Sequence, residues 1–485
     1  MQFQDNTPYD VLTEKWNPVL NHDALPSIAD DYRKKVTAVL LENQEQALRS
    51  QYLSEDMSSG ANLGGPSTST GYNTGAVSGY DPVLISLVRR SMPNLMAYDI
   101  CGVQPMTAPT GLIFAMRSNY QYGGTGTTYG NAGYREAMFQ EPVPMYGASG
   151  WTLGTNSGRG FSADSGVGTQ SSVNFGGSSG VTLSNWVAPS STTLDQMRGI
   201  LTNLGEGIGK NAPYANWNQM AFSIDRVAVQ ARTRALSSNY TVELAQDLKA
   251  VHGLDAEAEL ANLLSTEILA EINREIVKTI YYVARKGSQQ SDLITSGGGV
   301  YDLDSDSDGR WSAERFRGLS FQIERECNAI AKETRRGKGN FIICDSDTAA
   351  ALAMSGFMSL SPAIAPQINA DDTQSTFAGV LHGKIKVYID PYSPLGLNYF
   401  VAGYKGESPY DAGIFYCPYV PLQMVRAVDP NTFQPKIAFK TRYGLVANPY
   451  VLNNVTGQPD AESLTAGLNQ YYRITAITNL HGNTI

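Results

Sequence analysis

LVRRSMPNLMAYDICGVQPMTAPTGLIFAMR, residues 87–117, decides how the rest of this chain is read. Ahead of it and in its first turn, Leu84, Leu87, Val88 and Met92 recur at helical spacing. Pro93 then ends the helix, because its ring removes an N–H donor and clashes with the preceding turn. A compact segment through Tyr98 and Cys101 comes next, and Pro109-Thr110-Gly111 sets a turn before the strand-like run Leu112 to Met116. It contains no catalytic constellation. The stretch reads as architecture, a joint that anchors the segments on either side of it.

At 485 residues, 42% of them apolar, the chain suits two to four packed domains. Charged residues are 17% of it, against a usual share of roughly a quarter. A surface so sparing of charge suits burial against neighbouring subunits. The formal charge of −9 argues against direct nucleic-acid binding, which needs clustered Lys and Arg to neutralise phosphates. The first residues, MQFQDNTPYD, lack the basic start and apolar core of a signal peptide, and no run of about 18 apolar residues occurs. Cys101, Cys327, Cys344 and Cys417 are far apart and sit among apolar neighbours, so they are expected to be buried free thiols in a reducing cytoplasm.

Composition shifts divide the chain. Residues 27–55 are polar, Gln-rich and free of Gly and Pro, with Ile28, Val36, Val39 and Leu40 on a narrow stripe, which predicts a helix leaning on a partner. A Gly/Ser/Thr run at 58–79 comes after it, suited to an extended arm. Residues 121–195 hold 15 glycines, six charged residues and many aromatics, a mixture that predicts short strands joined by Gly turns. From Asp255, a plausible N-cap succeeded by Glu257 and Glu259, the row Leu260, Leu264, Ile268, Ile272, Ile276 and Ile280, joined by Leu263, Leu269 and Val283, predicts a long helix. Arg285-Lys286-Gly287 reads as its cationic last turn and stop. A second helix is expected from Ser312 to Arg335-Arg336-Gly337, with Trp311 and Phe316 spaced like a hydrophobic staple. Beyond it lie a strand at Phe341 to Cys344 and a helix from Ser346. Strands are then expected at Lys384 to Ile389, Tyr399 to Ala402, Gly413 to Val428 and Lys436 to Ala447. The fold class is α+β.

Each hint of chemistry has an ordinary counterpart. Gly205-Glu206-Gly207-Ile208-Gly209-Lys210-Asn211 has the look of a phosphate loop but the wrong spacing, and Asn211 stands where Ser or Thr is required. Asp304, Asp306 and Asp308, with Gly309, space like a calcium loop, yet the twelfth position is Arg315 instead of a bidentate Glu, so an acidic turn capping the next helix is preferred. The four histidines show no metal-ligand spacing, and His252 beside Gly253 reads as a helix end. Lys332, Arg335, Arg336 and Lys338 form a basic cluster, read as a dipole-stabilised helix C-terminus or a contact for an acidic neighbour. No catalytic, cofactor or resident metal site is expected, and the chain reads as a non-enzyme.

The opening stretch resembles the major capsid proteins of T-even-like tailed bacteriophages. So do three further blocks in the same order: Glu243 to Ile276, Gly309 to Cys344, and the pair Tyr404 to Leu422 and Phe433 to Tyr450. The resemblance implies a Hong Kong 97-type capsid fold, divided as an N-terminal propeptide or scaffold-like arm (1–55), a flexible arm (56–86), a peripheral domain with a spine helix (87–117 and 216–300), an extended loop with an inserted β-rich domain (118–215), an axial domain (301–430) and C-terminal peripheral strands (431–485). It implies hexameric capsomers that form an icosahedral or prolate head around DNA, without sequence-specific binding and without membrane contact. Its implied partners are further copies of the chain, a vertex protein, a portal, a scaffold, decoration proteins and a prohead protease, with assembly in the host cytoplasm. A pentameric vertex paralogue is the nearest rival, and a nanocompartment shell a more distant one. The protease of such phages prefers Leu or Ile, any residue, then Glu, so cleavage is expected between Glu55 and Asp56 after Leu53, with Leu40-Leu41-Glu42 as the weaker alternative.

Overall fold

A computed structural model describes residues 8–22, 28, 30–59, 88–89, 92, 95–120, 135–136, 198–207, 220–290, 298–307, 311–360, 376–394, 396–429, 433–448 and 464–480. Two helices open the chain, α1 (Pro8–Leu20) and α2 (Asp31–Ser59), succeeded by the short α3 (Ala97–Ile100), β1 (Gly102–Val103), β2 (Thr110–Tyr120) and β3 (Arg135–Glu136). Next come α4 (Thr202–Gly205), β4 (Met220–Gln230), β5 (Arg232–Asn239), α5 (Val242–Val251), α6 (Ala256–Val283), β6 (Ala284–Lys286) and β7 (Val300–Asp302). The remainder is α7 (Ser312–Thr334), β8 (Phe341–Cys344), α8 (Ser346–Met354), β9 (Met358–Leu360), β10 (Thr376–Leu381), β11 (Ile385–Ile389), β12 (Asn398–Gly403), β13 (Ile414–Val428), β14 (Pro435–Ala447) and β15 (Asn469–Thr478). The class is α+β, as the sequence implies.

The strands form three sheets, ordered β1-β13-β14-β5, β6-β15-β12-β8-β11-β10-β9 with β7 also on β15, and β3-β2-β4. The hairpin of β13 and β14 crosses residue 430, so strands from the expected axial and C-terminal segments share one sheet. β13 is apolar on both faces because both are covered. Ile414 and Tyr416 enter the main core, while Phe415 and Cys417 belong to a second cluster with Met106, Ile113, Val227, Val229 and Val446. Gly102 lets β1 lie against this strand, since a Cβ there would come within 2.5 Å of the Pro409 carbonyl and 2.6 Å of the Phe415 ring.

The spine is α6. Asp255 caps it by accepting from the Glu257 N–H at 3.2 Å, and its 28 residues span about 42 Å. The row Leu264, Ile268, Ile272, Ile276 and Ile280 is buried, whereas Leu263, expected beside it, is 63% exposed. Three polar joints fix α6 to its surroundings. Asn273 accepts from the Met96 N–H at 3.2 Å, Arg234 of β5 pairs with Glu271 and Glu275 at 2.5 Å each, and Arg274 pairs with Asp390 at 2.7 Å.

Two expectations at helix ends need correction. Residues Arg285 to Gly287 do not close α6; the chain turns extended after Val283 and pairs parallel to β15. Strand bonding outcompetes another helical turn there, with the Gly287 N–H donating to Ile474 O at 2.7 Å. Gly287 is required for close approach, since a Cβ would meet the Thr475 hydroxyl at 2.1 Å. Trp311 occupies the N-cap position of α7, is 73% exposed, and therefore does not staple to Phe316, which packs onto the main core. The other elements fall close to where their patterns put them. His252 caps the end of α5, and Arg335 closes α7 in the left-handed region at φ 52°.

Candidate assembly surfaces and the seat of the arm

The ribbon of β2 and β4 explains the continuous apolar run in the opening stretch. A strand apolar on both faces asks for cover on both. Register pairs Leu112 with Ala228, Phe114 with Arg226, Met116 with Ile224, Ser118 with Phe222 and Tyr120 with Met220. Alternation sends Ile113, Ala115, Val227 and Val229 inward, where they are buried. The opposite face leaves Leu112, Phe114, Met116, Met220, Phe222 and Ile224 between 52% and 76% exposed. Six large side chains on one strip form a contiguous apolar patch of the kind that marks an interface.

A second apolar surface lies between α5 and α6. Leu244, Leu248, Leu260 and Leu263 line a groove of about 560 Å³, and Glu259 and Glu267 stand on its wall. Nearby Val242, Val251 and Leu254 are 47%, 74% and 45% exposed. This groove is apolar with acidic edges, and the open ribbon face is apolar with Arg226 on it. The two surfaces are chemically complementary.

The N-terminal helices are not solvated. Trp16, Leu20, Val36, Leu40 and Leu41 are buried in the main core, and α2 packs across β13. The partner that the narrow stripe asks for is the chain itself. Arg33 pairs with Asp99 at 2.6 Å, the Tyr32 hydroxyl donates to Val103 O, and Arg89 donates to Leu20 O at 2.7 Å. Asn43 donates through Nδ2 to both Met106 O at 2.7 Å and Tyr419 O at 2.9 Å. Sequence reading missed these groups. The signal was present in Asn43 and Gln44, two amides that continue the apolar row after Val36 and Leu40.

Of the two expected cleavage motifs, Leu40-Leu41-Glu42 is occupied by folding. Leu40 and Leu41 are 1% and 0% exposed, and Glu42 accepts from Lys15 at 2.6 Å and Trp16 at 3.2 Å. Leu53, Glu55 and Asp56 lie in the last turns of α2.

The remaining candidates are brought into ordinary roles. Asp304 pairs with Arg315 at 2.7 Å, Asp306 accepts from the Asp302 N–H at 3.2 Å, and Asp308 lies outside the described residues. Among the described residues no group of three or more His, Cys, Asp or Glu is placed to hold a metal ion. In the glycine cluster Thr202–Gly205 is one short helix, and 208–211 lie outside the described residues. Of the basic cluster, Lys338 pairs with Glu324 and Arg336 stands 3.9 Å from Asp411. All four cysteines are buried free thiols, and burial pushes Cys101, Cys327 and Cys417 up to about 12. No described helix is long and apolar enough to cross a membrane. The expected strands within 121–195 lie outside the described residues, apart from Arg135–Glu136, which pairs with Asn119 and Tyr120.

Comparison with known proteins gives a match to the family model "Major capsid protein Gp23" over residues 77–477. The chain is 38% identical to the major capsid protein of Enterobacteria phage T6, over 94% of this chain and 98% of that one. It is 32% identical to the capsid vertex protein of Enterobacteria phage T4, over 48% of this chain and 53% of that one. Among solved structures, the capsid of Myoviridae phage XM1 aligns with a TM-score of 0.33 at 8% identity, covering 77% of this chain and 89% of that one.

Proposed function

Since the chain belongs to the Gp23 family of major capsid proteins of T4-like phages, which form the head shell, we propose that it forms this shell as hexameric capsomers. The virion capsid is its place, and copies of itself are its first partners. Its mixed helix-and-sheet architecture agrees with the α+β capsid fold, and its family is structural, not enzymatic. The observation that carries the hexamer reading is the open apolar face of the β2/β4 ribbon. Each subunit lays that face into the α5/α6 groove of the next, a head-to-tail contact that closes into a ring. A ring of such contacts needs no free subunit with an uncovered strip.

The similarity to major capsid proteins spans nearly the whole chain, and that to a vertex protein only about half, which favours the hexamer over the pentamer. Residues 1–55 act as a removable arm, 118–215 as an extended loop with its insert, and α6 as the spine of a peripheral part. A prohead protease cuts between Glu55 and Asp56. Burial of Leu40 and Leu41 supports that site over the alternative at Glu42. Residues 1–55 carry a net −4, so their loss leaves −5 of the original −9 and lowers repulsion across the shell. Assembly in the host cytoplasm, with scaffold, portal, vertex and decoration proteins, completes the reading.

Electron microscopy of the purified chain tests it. Six-fold capsomers or closed shells are expected, and a chain that stays monomeric at every concentration, or that occupies only five-fold vertices in particles, would overturn it.

A further inference from the structure

The seat of α2 holds a feature that ordinary packing does not require. β1 bonds to β13 in a parallel line, with Gln104 N–H donating to Tyr416 O at 2.9 Å and Met106 N–H donating to Pro418 O at 2.9 Å. The chain then leaves this edge: Pro109 O accepts from Ala231 N–H at 2.9 Å at the base of the ribbon. The next acceptor on β13, Tyr419 O, has no strand to bond. It is taken by the Asn43 side-chain amide, which also takes Met106 O. One amide group, 6% exposed, thus stands where the main-chain N–H groups of an extended segment would continue the sheet.

The seat is also poorly finished. Gln44, the next residue, is 0% exposed, and both its amide atoms lack a hydrogen-bond partner. On the facing segment the Gln104 Nε2 and the Tyr98 hydroxyl are likewise buried without partners. Polar groups buried this way cost stability that a hydrophobic side chain of similar size would not. A contact meant to last would not concentrate them here. A contact meant to be released can.

We propose that α2 is a removable plug in the sheet edge: Asn43 holds the acceptor pair Met106 O and Tyr419 O closed until the arm leaves, and an extended segment of a second copy of this chain then bonds there. The proposal rests on the shell and arm-removal reading given above. A second copy is the occupant because shell subunits are surrounded chiefly by one another. The chemistry of the slot, two carbonyl acceptors between Val103 and Val420, which are 2% and 3% exposed, calls for a backbone donor with apolar side chains. An open edge of this kind is what β-strand addition uses.

The test uses the full chain carrying Glu55→Gln, so that no cut at that site intervenes. Into it go Asn43→Ala, which removes the plug's donor, and Gln44→Leu, which fills the same space without unpaired amide atoms. Hydrogen exchange over residues 31–47 reads how firmly the arm is seated; Asn43→Ala should speed it about 10-fold and Gln44→Leu should slow it. Sedimentation and electron microscopy read assembly. The Asn43→Ala chain should form oligomers that the Glu55→Gln parent does not, with peptides spanning 416–422 gaining protection in them, and the Gln44→Leu chain should assemble later than its parent. The Gln44→Leu arm keeps the test available if Asn43→Ala fails to fold. Faster arm exchange without a gain in assembly, or oligomers whose 416–422 peptides stay unprotected, would sink the plug while leaving the shell reading intact. Particles formed readily by the Glu55→Gln parent with its arm still protected would do the same. If neither the natural cut chain nor any variant forms particles, the shell reading fails, and the second copy leaves the slot with it.

Discussion

Asp390 is 5% exposed and accepts from Arg274 at 2.7 and 2.8 Å, from Tyr281 at 2.9 Å and from Tyr399 at 2.8 Å. Burial alone would raise its carboxyl, but the Arg274 guanidinium, the Tyr392 N–H and the Tyr399 hydroxyl hold it below the ordinary 3.8. A depressed carboxylate stabilises the fold fully above its unfolded value and loses that contribution as pH falls through the folded one. The joint between α6 and the large sheet should therefore weaken below about pH 4. Asp390→Asn is expected to cost about 3 kcal/mol at pH 7 and to flatten the stability profile between about pH 4 and pH 2, as denaturant unfolding across pH would show. A second buried joint behaves differently. Glu326, 0% exposed, accepts from Arg473 at 3.2 Å, from Gln322 at 2.9 Å and from Gln290 at 2.8 Å. Arg473→Met strands that carboxylate and should cost about 3–5 kcal/mol, whereas Arg473→Met with Glu326→Leu should recover most of the loss. Equal unfolding midpoints for the single and double variants would refute this.

At the scale of elements, how much the sequence disclosed depended on period. The four-residue row from Leu264 to Ile280 predicted α6 because a single face was buried, and Asp255 marked its start. Phe341 to Cys344 was legible as a strand because it is buried throughout. The ribbon was half legible. Leu112 to Met116 read as a strand, but its partner β4 begins some 100 residues later, at Met220, beyond a segment whose pattern says nothing about pairing. What the ribbon's open face does is testable: Phe222→Glu with Ile224→Glu puts two charges on an exposed strip and leaves Val227 and Val229 untouched. Circular dichroism and thermal melting should change little, since surface substitutions usually stay within about 0.5 kcal/mol, while particle yield should collapse. Unchanged particle yield would remove the ribbon from the interface. The end of α6 escaped the sequence because Arg285 and Lys286 suit a helix C-terminus as well as they suit β6; only the presence of β15 alongside decided between them.

For the whole molecule, intact mass of the chain from particles separates the two cleavage motifs. A start at Asp56 is expected, Glu55→Gln should leave the arm attached, and a start after Glu42 would show that the buried motif is opened before cutting. The order of arm, joint, ribbon, spine and closing strands was in the sequence, because each depends on local period, caps and breaks, and four long blocks tied that order to one capsid family. The α+β class was legible for the same reason. The tertiary structure alone decided that α2 leans on its own β13, that one face of the ribbon stays uncovered, and that Asn43 meets Tyr419. Those facts are pairings between residues as many as 376 positions apart, and a helix or strand pattern records which face is apolar without recording what covers it.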